Sequence, residues 1–317
     1  MSRLLALLAT LVFAGAAQAA GPSPGLLQGS TGITTPGQSQ RFVTLAGPST
    51  TTLAAIDKAT GGITRWRTLR GSWGIPLVAF DGTPEGLSRD GKTLVVADWN
   101  QPPNSPLRAS STFRIYDTKL LTKRFAFRLR GDWGFDALSP DASTLYLIQH
   151  VSQQDVLKYQ VRAYDLRRHR LLKQVIADKT QQGWVMQGVP MKRLAAPGGR
   201  WVYTLYGAGD GYPFVHALDA VNGTAHCIGI PWHGNADPLG RAVLRLEGGK
   251  LTIAAGGRLF AIDTKTFALS LPAREKNGVS TGAIAGITAG GTMLLALAAF
   301  VALRRLRRRP GAAGLPA

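Results

Sequence analysis

Residues 86–96 read Gly86-Leu87-Ser88-Arg89-Asp90-Gly91-Lys92-Thr93-Leu94-Val95-Val96, and residues 137–147 read Ala137-Leu138-Ser139-Pro140-Asp141-Ala142-Ser143-Thr144-Leu145-Tyr146-Leu147. Each stretch has a leucine, a polar tight turn and a second leucine seven positions after the first. The same frame returns at 194–201 and 244–251, so that the first leucines lie 51, 56 and 50 residues apart. Self-similarity at such a period is typical of repeat architectures.

A second landmark recurs in step with the first. Two apolar residues precede an aspartate and a short polar turn at five places, which end in Asp57, Asp117, Asp165, Asp219 and Asp263. An aspartate side chain accepts hydrogen bonds from nearby backbone amides and so fixes a turn between strands. We therefore interpret these aspartates as structural and not catalytic.

The two landmarks together predict four short strands in each unit of about 50 residues. In the third unit we expect strands near 135–138, 143–149, 159–164 and 170–176. Four antiparallel strands in a radial arrangement form the blade of a β-propeller.

The turn sequences resemble those of bacterial WD40-like propellers of the YVTN kind, which pair a Ser-Pro-Asp-Gly-type turn with an Ile-Asp-Thr-type turn. The best copies are 87–92, 138–143, Asp117-Thr118 and Asp263-Thr264. The resemblance spans about residues 41–272 and implies a fold without an activity. We expect an all-β propeller of about five four-stranded blades, with six or seven as alternatives, and one C-terminal transmembrane helix. An incomplete or two-part array of sheets is the alternative to a closed ring.

The two ends of the chain predict its topology. Residues 1–19 have a basic start, a short apolar run and a small-residue cleavage site, as in a secretory signal peptide. Residues 279–303 contain no charged residue and predict a transmembrane helix. The arginines within residues 304–317 predict a short cytoplasmic tail and therefore a single-pass protein of the cell membrane with its N-terminal domain outside.

Between these ends we expect a linker at 20–40, because the segment is rich in Gly, Ser, Thr and Pro, and a propeller domain at 41–276. Gly282, Gly286 and Gly290 recur every four residues in the predicted span. This spacing lets two helices approach closely and allows a homodimer, although a span that is merely rich in glycine is the simpler interpretation.

The exported part of the chain is basic. Of the 37 lysines and arginines, six lie at Arg3 and in the terminal arginine cluster, which leaves 31 against 18 acidic residues. Such a surface favours anionic partners such as an envelope polymer, whereas the alternative is that the charge serves solubility alone. The export signals argue against nucleic acid. Cys227 is the only cysteine, so the domain forms no internal disulfide.

The links between units indicate a binding face. Each carries a tryptophan beside a glycine or histidine, and the candidate binding residues are Trp73, Trp133, Trp184, Trp232 and His233. Loops on a rigid scaffold often hold binding residues, and tryptophan offers a large contact area. In the alternative interpretation, each indole fills the gap between neighbouring blades.

Catalytic motifs are missing from the sequence. The five histidines lack the paired spacing of zinc ligands, and no phosphate-binding or dinucleotide-binding glycine loop occurs. We therefore predict a non-enzymatic surface binding or scaffolding module with no catalytic residue, metal or cofactor. The alternative is an extracellular propeller enzyme of hydrolase or lactonase type, for which the loops offer Asp155, Asp210, His150 and His233.

Overall fold

The computed structural model describes residues 23–99, 105–180, 185–207, 212–233, 235 and 237–271, together with the backbone of 18–20. The described chain is almost entirely β-structure, with one four-residue helix, α1 (Asp237–Gly240). Its strands form five four-stranded antiparallel sheets, which follow one another along the chain. This all-β organisation in five repeated units was predicted and is consistent with a β-propeller.

The strands of each sheet are consecutive in sequence. Two short strands, β1 (Gln18–Ala20) and β2 (Ser23–Leu27), come before the first sheet. Sheet 1 contains β3 (Gly29–Thr34), β4 (Gln40–Ala46), β5 (Thr50–Asp57) and β6 (Ile63–Arg70). Sheet 2 contains β7 (Trp73–Pro76), β8 (Thr93–Asp98), β9 (Ser110–Asp117) and β10 (Thr122–Arg130).

Sheet 3 contains β11 (Trp133–Leu138), β12 (Thr144–His150), β13 (Lys158–Asp165) and β14 (Arg170–Ile176), and β15 (Met186–Gln187) adds to β13. Sheet 4 contains β16 (Val189–Ala195), β17 (Trp201–Gly207), β18 (Phe214–Asp219) and β19 (Thr224–Gly229). Sheet 5 contains β20 (Val243–Glu247), β21 (Lys250–Ala255), β22 (Arg258–Asp263) and β23 (Leu269–Ser270). The four strands predicted for the third unit agree with sheet 3 to within two residues at each end.

The five turn aspartates have the structural role that the sequence predicts. In each, one carboxylate oxygen accepts hydrogen bonds from the backbone N–H groups two and three residues later, as Asp57 Oδ1 does from Ala59 and Thr60 at 3.0 and 2.9 Å. Asp117, Asp165, Asp219 and Asp263 repeat this arrangement. These bonds satisfy amides at the turn and hold the third and fourth strands of every sheet together.

Apolar side chains between neighbouring sheets make the core. One cluster joins sheets 1 and 2 around Phe42 and Leu94, and further clusters join sheets 2 and 3, sheets 3 and 4, and sheets 4 and 5. Within the described residues no such cluster joins sheet 5 to sheet 1. Among the described residues, apolar clusters therefore join each sheet to the next one along the chain.

The linker predicted for residues 20–40 is wrong for most of its length. Gly29–Thr34 is the first strand of sheet 1, and Ser23–Leu27 pairs with β7 of sheet 2. Leu26 and Leu27 are buried, and Thr44 Oγ1 donates a hydrogen bond of 2.7 Å to the Leu27 carbonyl. A composition rich in glycine, serine and threonine favours a loop in sequence-based reasoning, whereas here the segment pairs with two sheets and buries two leucines.

The predicted signal peptide 1–19, apart from the backbone of Gln18 and Ala19 in β1, lies outside the described residues, as do the whole predicted transmembrane helix 279–303 and tail 304–317. In the part of the chain that is described, no helix is long and apolar enough to cross a membrane.

Candidate functional site

A small cavity lies between sheets 2, 3 and 4, and β2 covers it on one side. Its wall includes Trp99, Arg108, Trp133, His150 and Tyr159, and it contains about 30 Å³ of space for water. That volume holds about two water molecules.

β2 lies close against sheets 2 and 3. A Cβ added at Gly74 would lie 2.5 Å from Leu26 Cβ, and one added at Gly134 would lie 3.0 Å from Ser23 Oγ. Both glycines follow the tryptophans of the links between sheets. The repeated Trp-Gly pair therefore leaves room for the chain's first strands over the cavity.

A buried carboxylate, Asp132, contacts an arginine and a histidine beside this cavity. Arg108 donates to Asp132 from Nε (3.1 Å) and Nη2 (3.0 Å), and His150 Nδ1 lies 2.9 Å from Asp132 Oδ1. Burial alone would raise the pKa of Asp132, but the hydrogen bonds and charges of His150 and Arg108 outweigh it and hold the pKa well below its usual value. Asp132 is therefore ionised at neutral pH and orients the His150 ring at the cavity wall.

A second buried ion pair joins three sheets. Arg193 on β16 donates from Nη1 to Asp136 Oδ1 of sheet 3 at 2.8 Å, and from Nε to Glu85 Oε1 of sheet 2 at 3.1 Å. It also donates to the Asp136 carbonyl and to Thr204 Oγ1. Arg193, Asp136 and Glu85 come from three different sheets. Their ion pair therefore holds these three sheets in position relative to one another.

Three buried polar atoms near these groups have no hydrogen-bond partner among the described residues, namely Asp136 Oδ2, Tyr159 Oη and His216 Nε2. The described residues contain no group of three or more His, Cys, Asp or Glu side chains that would hold a metal ion.

The five predicted binding residues differ in how exposed their side chains are. Trp73, Trp133 and Trp232 are 6%, 3% and 8% exposed. Each indole N–H donates to a nearby backbone carbonyl at 2.8 to 2.9 Å, those of Arg70, Arg130 and Asn235 respectively. This is the arrangement of the alternative interpretation, in which indoles fill gaps between sheets, and it leaves these side chains little surface for a ligand.

The other two predicted binding residues differ. His233 is exposed and packs edge-to-face on Tyr212, with ring centroids 5.4 Å apart. Trp184 lies outside the described residues. The binding role of the predicted set stays a prediction.

The exposed surface carries a cluster of basic residues, whose position the net charge of the chain does not reveal. The outermost strands of sheets 1, 2 and 3 contain nine lysines and arginines and no acidic residue: Arg65, Arg67, Arg70, Lys123, Arg124, Arg128, Arg130, Arg170 and Lys173. Among the described residues, Arg124 alone of the nine forms an ion pair, with Asp117. We call these nine residues the basic belt. Trp66, 59% exposed, lies within it between Arg65 and Arg67.

Comparison with known proteins identifies no family. No protein-family model matches the chain, and no curated protein is similar to it. Among solved structures, TolB from Acinetobacter baumannii has 14% identity and a TM-score of 0.41 over 73% of this chain and 50% of its own, so this chain spans about half of TolB. The Cps50 (Swd1) β-propeller domain of Myceliophteria thermophila has 14% identity and a TM-score of 0.46 over 80% and 72%. Oligogalacturonate lyase in complex with manganese has 13% identity and a TM-score of 0.48 over 80% and 67%.

Proposed function

We propose that this chain is a non-enzymatic binding module displayed at the cell surface by its C-terminal apolar segment, and that an anionic envelope polymer is its partner. The observation that carries the proposal is the basic belt. Nine cationic side chains on the outermost strands of three sheets, with no acidic residue in those strands, form an extended site for a chain of negative charges.

The shape of the belt favours a polymer over a small anion. Its residues are spread along the edges of three sheets and do not converge on one point. The exposed Trp66 indole adds an apolar surface on which a sugar ring can stack. A linear acidic polysaccharide offers both the repeated charge and the ring face.

The centre of the molecule supports a non-catalytic role. Asp132 and Asp136 are held in buried ion pairs with arginines. The cavity beside them has room for about two water molecules, which is too little for an organic substrate.

The test is binding of the purified chain to a polyuronate such as alginate, measured by titration calorimetry at low and high salt. The belt variant changes Arg70, Lys123 and Arg130 to glutamine. Its matched control changes Arg245, Lys250 and Lys265 of sheet 5, which are also exposed, to glutamine and has the same net charge.

We expect the belt variant to bind at least about tenfold more weakly and the control variant to lose less than about threefold. Equal losses in the two variants would mean general attraction to a basic protein and would refute a defined site.

The enzyme alternative keeps one supporting observation, the His150 ring that Asp132 orients at the cavity wall. A histidine held by a carboxylate is a common general base. Ester or lactone hydrolysis by the purified chain that disappears in His150→Gln would favour this alternative over the binding module.

A further inference from the structure

Three side chains with soft or nitrogen donor atoms meet at the border between sheets 3 and 4. Cys227 of β19 lies between the other two: its Sγ is 3.9 Å from Met186 Sδ of β15 and 3.6 Å from His216 Nδ1 of β18. The three residues are brought together by strand pairing, since Cys227 is directly opposite His216 in the sheet.

We propose that Met186, His216 and Cys227 form a three-coordinate site for a soft monovalent metal ion, with Cu(I) as its natural cation. A thiolate and a thioether are the ligands that select Cu(I) among biological metal ions, and imidazole is also one of its ligands. The site is separate from the basic belt and does not depend on the proposed function.

The distances between the donor atoms fit one shared ion. Metal–sulfur and metal–nitrogen bonds of about 2.3 and 2.0 Å, set at 120° to each other, place two sulfurs about 4.0 Å apart and a sulfur and a nitrogen about 3.7 Å apart. The two separations that involve the Cys227 sulfur are 3.9 Å to Met186 Sδ and 3.6 Å to His216 Nδ1. Cys227 can therefore share an ion with either neighbour with little movement of the strands.

The histidine is the buried ligand of the site, since His216 is 1% exposed. Nδ1 faces the Cys227 sulfur, and Nε2 has no partner among the described residues. With its proton on Nε2, the ring presents the Nδ1 lone pair to the ion.

The two sulfur ligands are less buried than the histidine. Met186 and Cys227 are half-buried, whereas His216 is 1% exposed. Binding of Cu(I) breaks the S–H bond of Cys227, forms the S–Cu bond and releases one proton to solvent, without a change of oxidation state.

Asp178 holds this site in place. Its Oδ2 accepts a hydrogen bond of 2.9 Å from the Cys227 backbone N–H, and its Oδ1 accepts from the Thr180 N–H and hydroxyl. The buried carboxylate fixes the position of the cysteine backbone and places a negative charge close to the bound cation.

The ligand set argues against zinc. Zn²⁺ in structural sites takes four thiolate, imidazole or carboxylate ligands and makes little use of thioethers. Here one of the three donors is a thioether, and the described residues contain no group of three His, Cys, Asp or Glu that would hold a metal.

The experiment is anaerobic titration of the full chain with Cu(I) in the presence of a chromogenic Cu(I) chelator as competitor. The variants are Cys227→Ser, His216→Gln and Met186→Leu. The control is Met191→Leu, since Met191 lies on the innermost strand of sheet 4, three strands from Cys227. X-ray absorption of the loaded protein reports the ligand atoms directly.

We expect one Cu(I) per chain with two sulfurs and one nitrogen around it, no competitive binding in Cys227→Ser, and at least about tenfold weaker binding in Met186→Leu. Met191→Leu is expected to bind like the parent chain. Met186→Leu is a conservative change at a half-buried position, so its result is readable even if His216→Gln does not fold. Unchanged affinity in Met186→Leu, or a preference for Zn²⁺ over Cu(I), would overturn the proposal.

Discussion

Replacement of Gly74 by alanine tests whether β2 packs against β7 and covers the cavity between sheets 2, 3 and 4. The added Cβ would lie 2.5 Å from Leu26 Cβ and 3.2 Å from the Leu27 carbonyl oxygen. Ordinary carbon–carbon contacts lie at about 3.5 to 4.0 Å, so β2 has to move by about 1 Å. The atoms concerned are at or next to the backbone, which leaves no side-chain rotation to relieve the contact.

The expected cost has a lower and an upper limit. Overpacking of this kind costs about 1–3 kcal/mol when the neighbours adjust. If β2 detached altogether, Leu26 and Leu27 would lose their burial, at about 1.5–3 kcal/mol each. We therefore expect Gly74→Ala to lower the free energy of unfolding by about 2 kcal/mol, and by no more than about 6 kcal/mol.

Urea unfolding of the purified chain, followed by tryptophan fluorescence, measures this change. Gly229→Ala is the control, because Gly229 also lies in a strand and has no atom within 4 Å of an added Cβ. We expect the control to shift stability by less than about 0.5 kcal/mol. Identical unfolding curves for the two variants would show that β2 does not pack on β7 and would refute the account of the covered cavity.

Three further changes test the buried charges and the turns, each by urea unfolding. Arg193→Met leaves Asp136 and Glu85 without their cation, and we expect a loss of about 3–5 kcal/mol; a loss below 1 kcal/mol would contradict the buried ion pair. The carboxyl of Asp132 has a lowered pKa in the folded chain, so its contribution is present above the ordinary carboxyl pKa of about 3.9 and is lost as pH falls below it. Asp132→Asn is therefore expected to be less stable at pH 7 and to lose less stability between pH 5 and pH 3 than the parent chain. Asp165→Ala removes the acceptor of two turn amides and is expected to cost about 1–2 kcal/mol; an unchanged midpoint would argue against the structural role of the turn aspartates.

The repeat was predictable from sequence because turns leave a local signal. Asp117 and Asp165 bond to amides two and three residues away, so the pattern that reveals them is contained in one short stretch of chain. The strands β2 and β3 left no such signal. β3 consists mostly of small and polar residues, and β2 pairs with β7, about 50 residues later in the chain.

The polar groups of the centre were not predictable for a similar reason. Arg193 is 108 residues from Glu85 and 57 from Asp136, and no periodic pattern connects them.

The tryptophans are easy to recognise in the sequence because they recur in the links between units. Trp73 and Trp133 recur because they occupy the same packing position in successive sheets. The proposed ligands Met186, His216 and Cys227 were not predicted from sequence, because the usual metal-binding patterns consist of His, Cys, Asp and Glu and do not include methionine.

The five sheets share unequal amounts of apolar core. Within the described residues, sheets 2, 3 and 4 each share apolar cores with two neighbours, whereas sheets 1 and 5, the flanking sheets, each share one. Where units interact only with their nearest neighbours, the terminal units open at the smallest cost. Amide protons are therefore expected to exchange fastest in the flanking sheets and slowest in sheet 3. A pull applied at residue 271 would release sheet 5 first, while the ion pair around Arg193 kept the three middle sheets together.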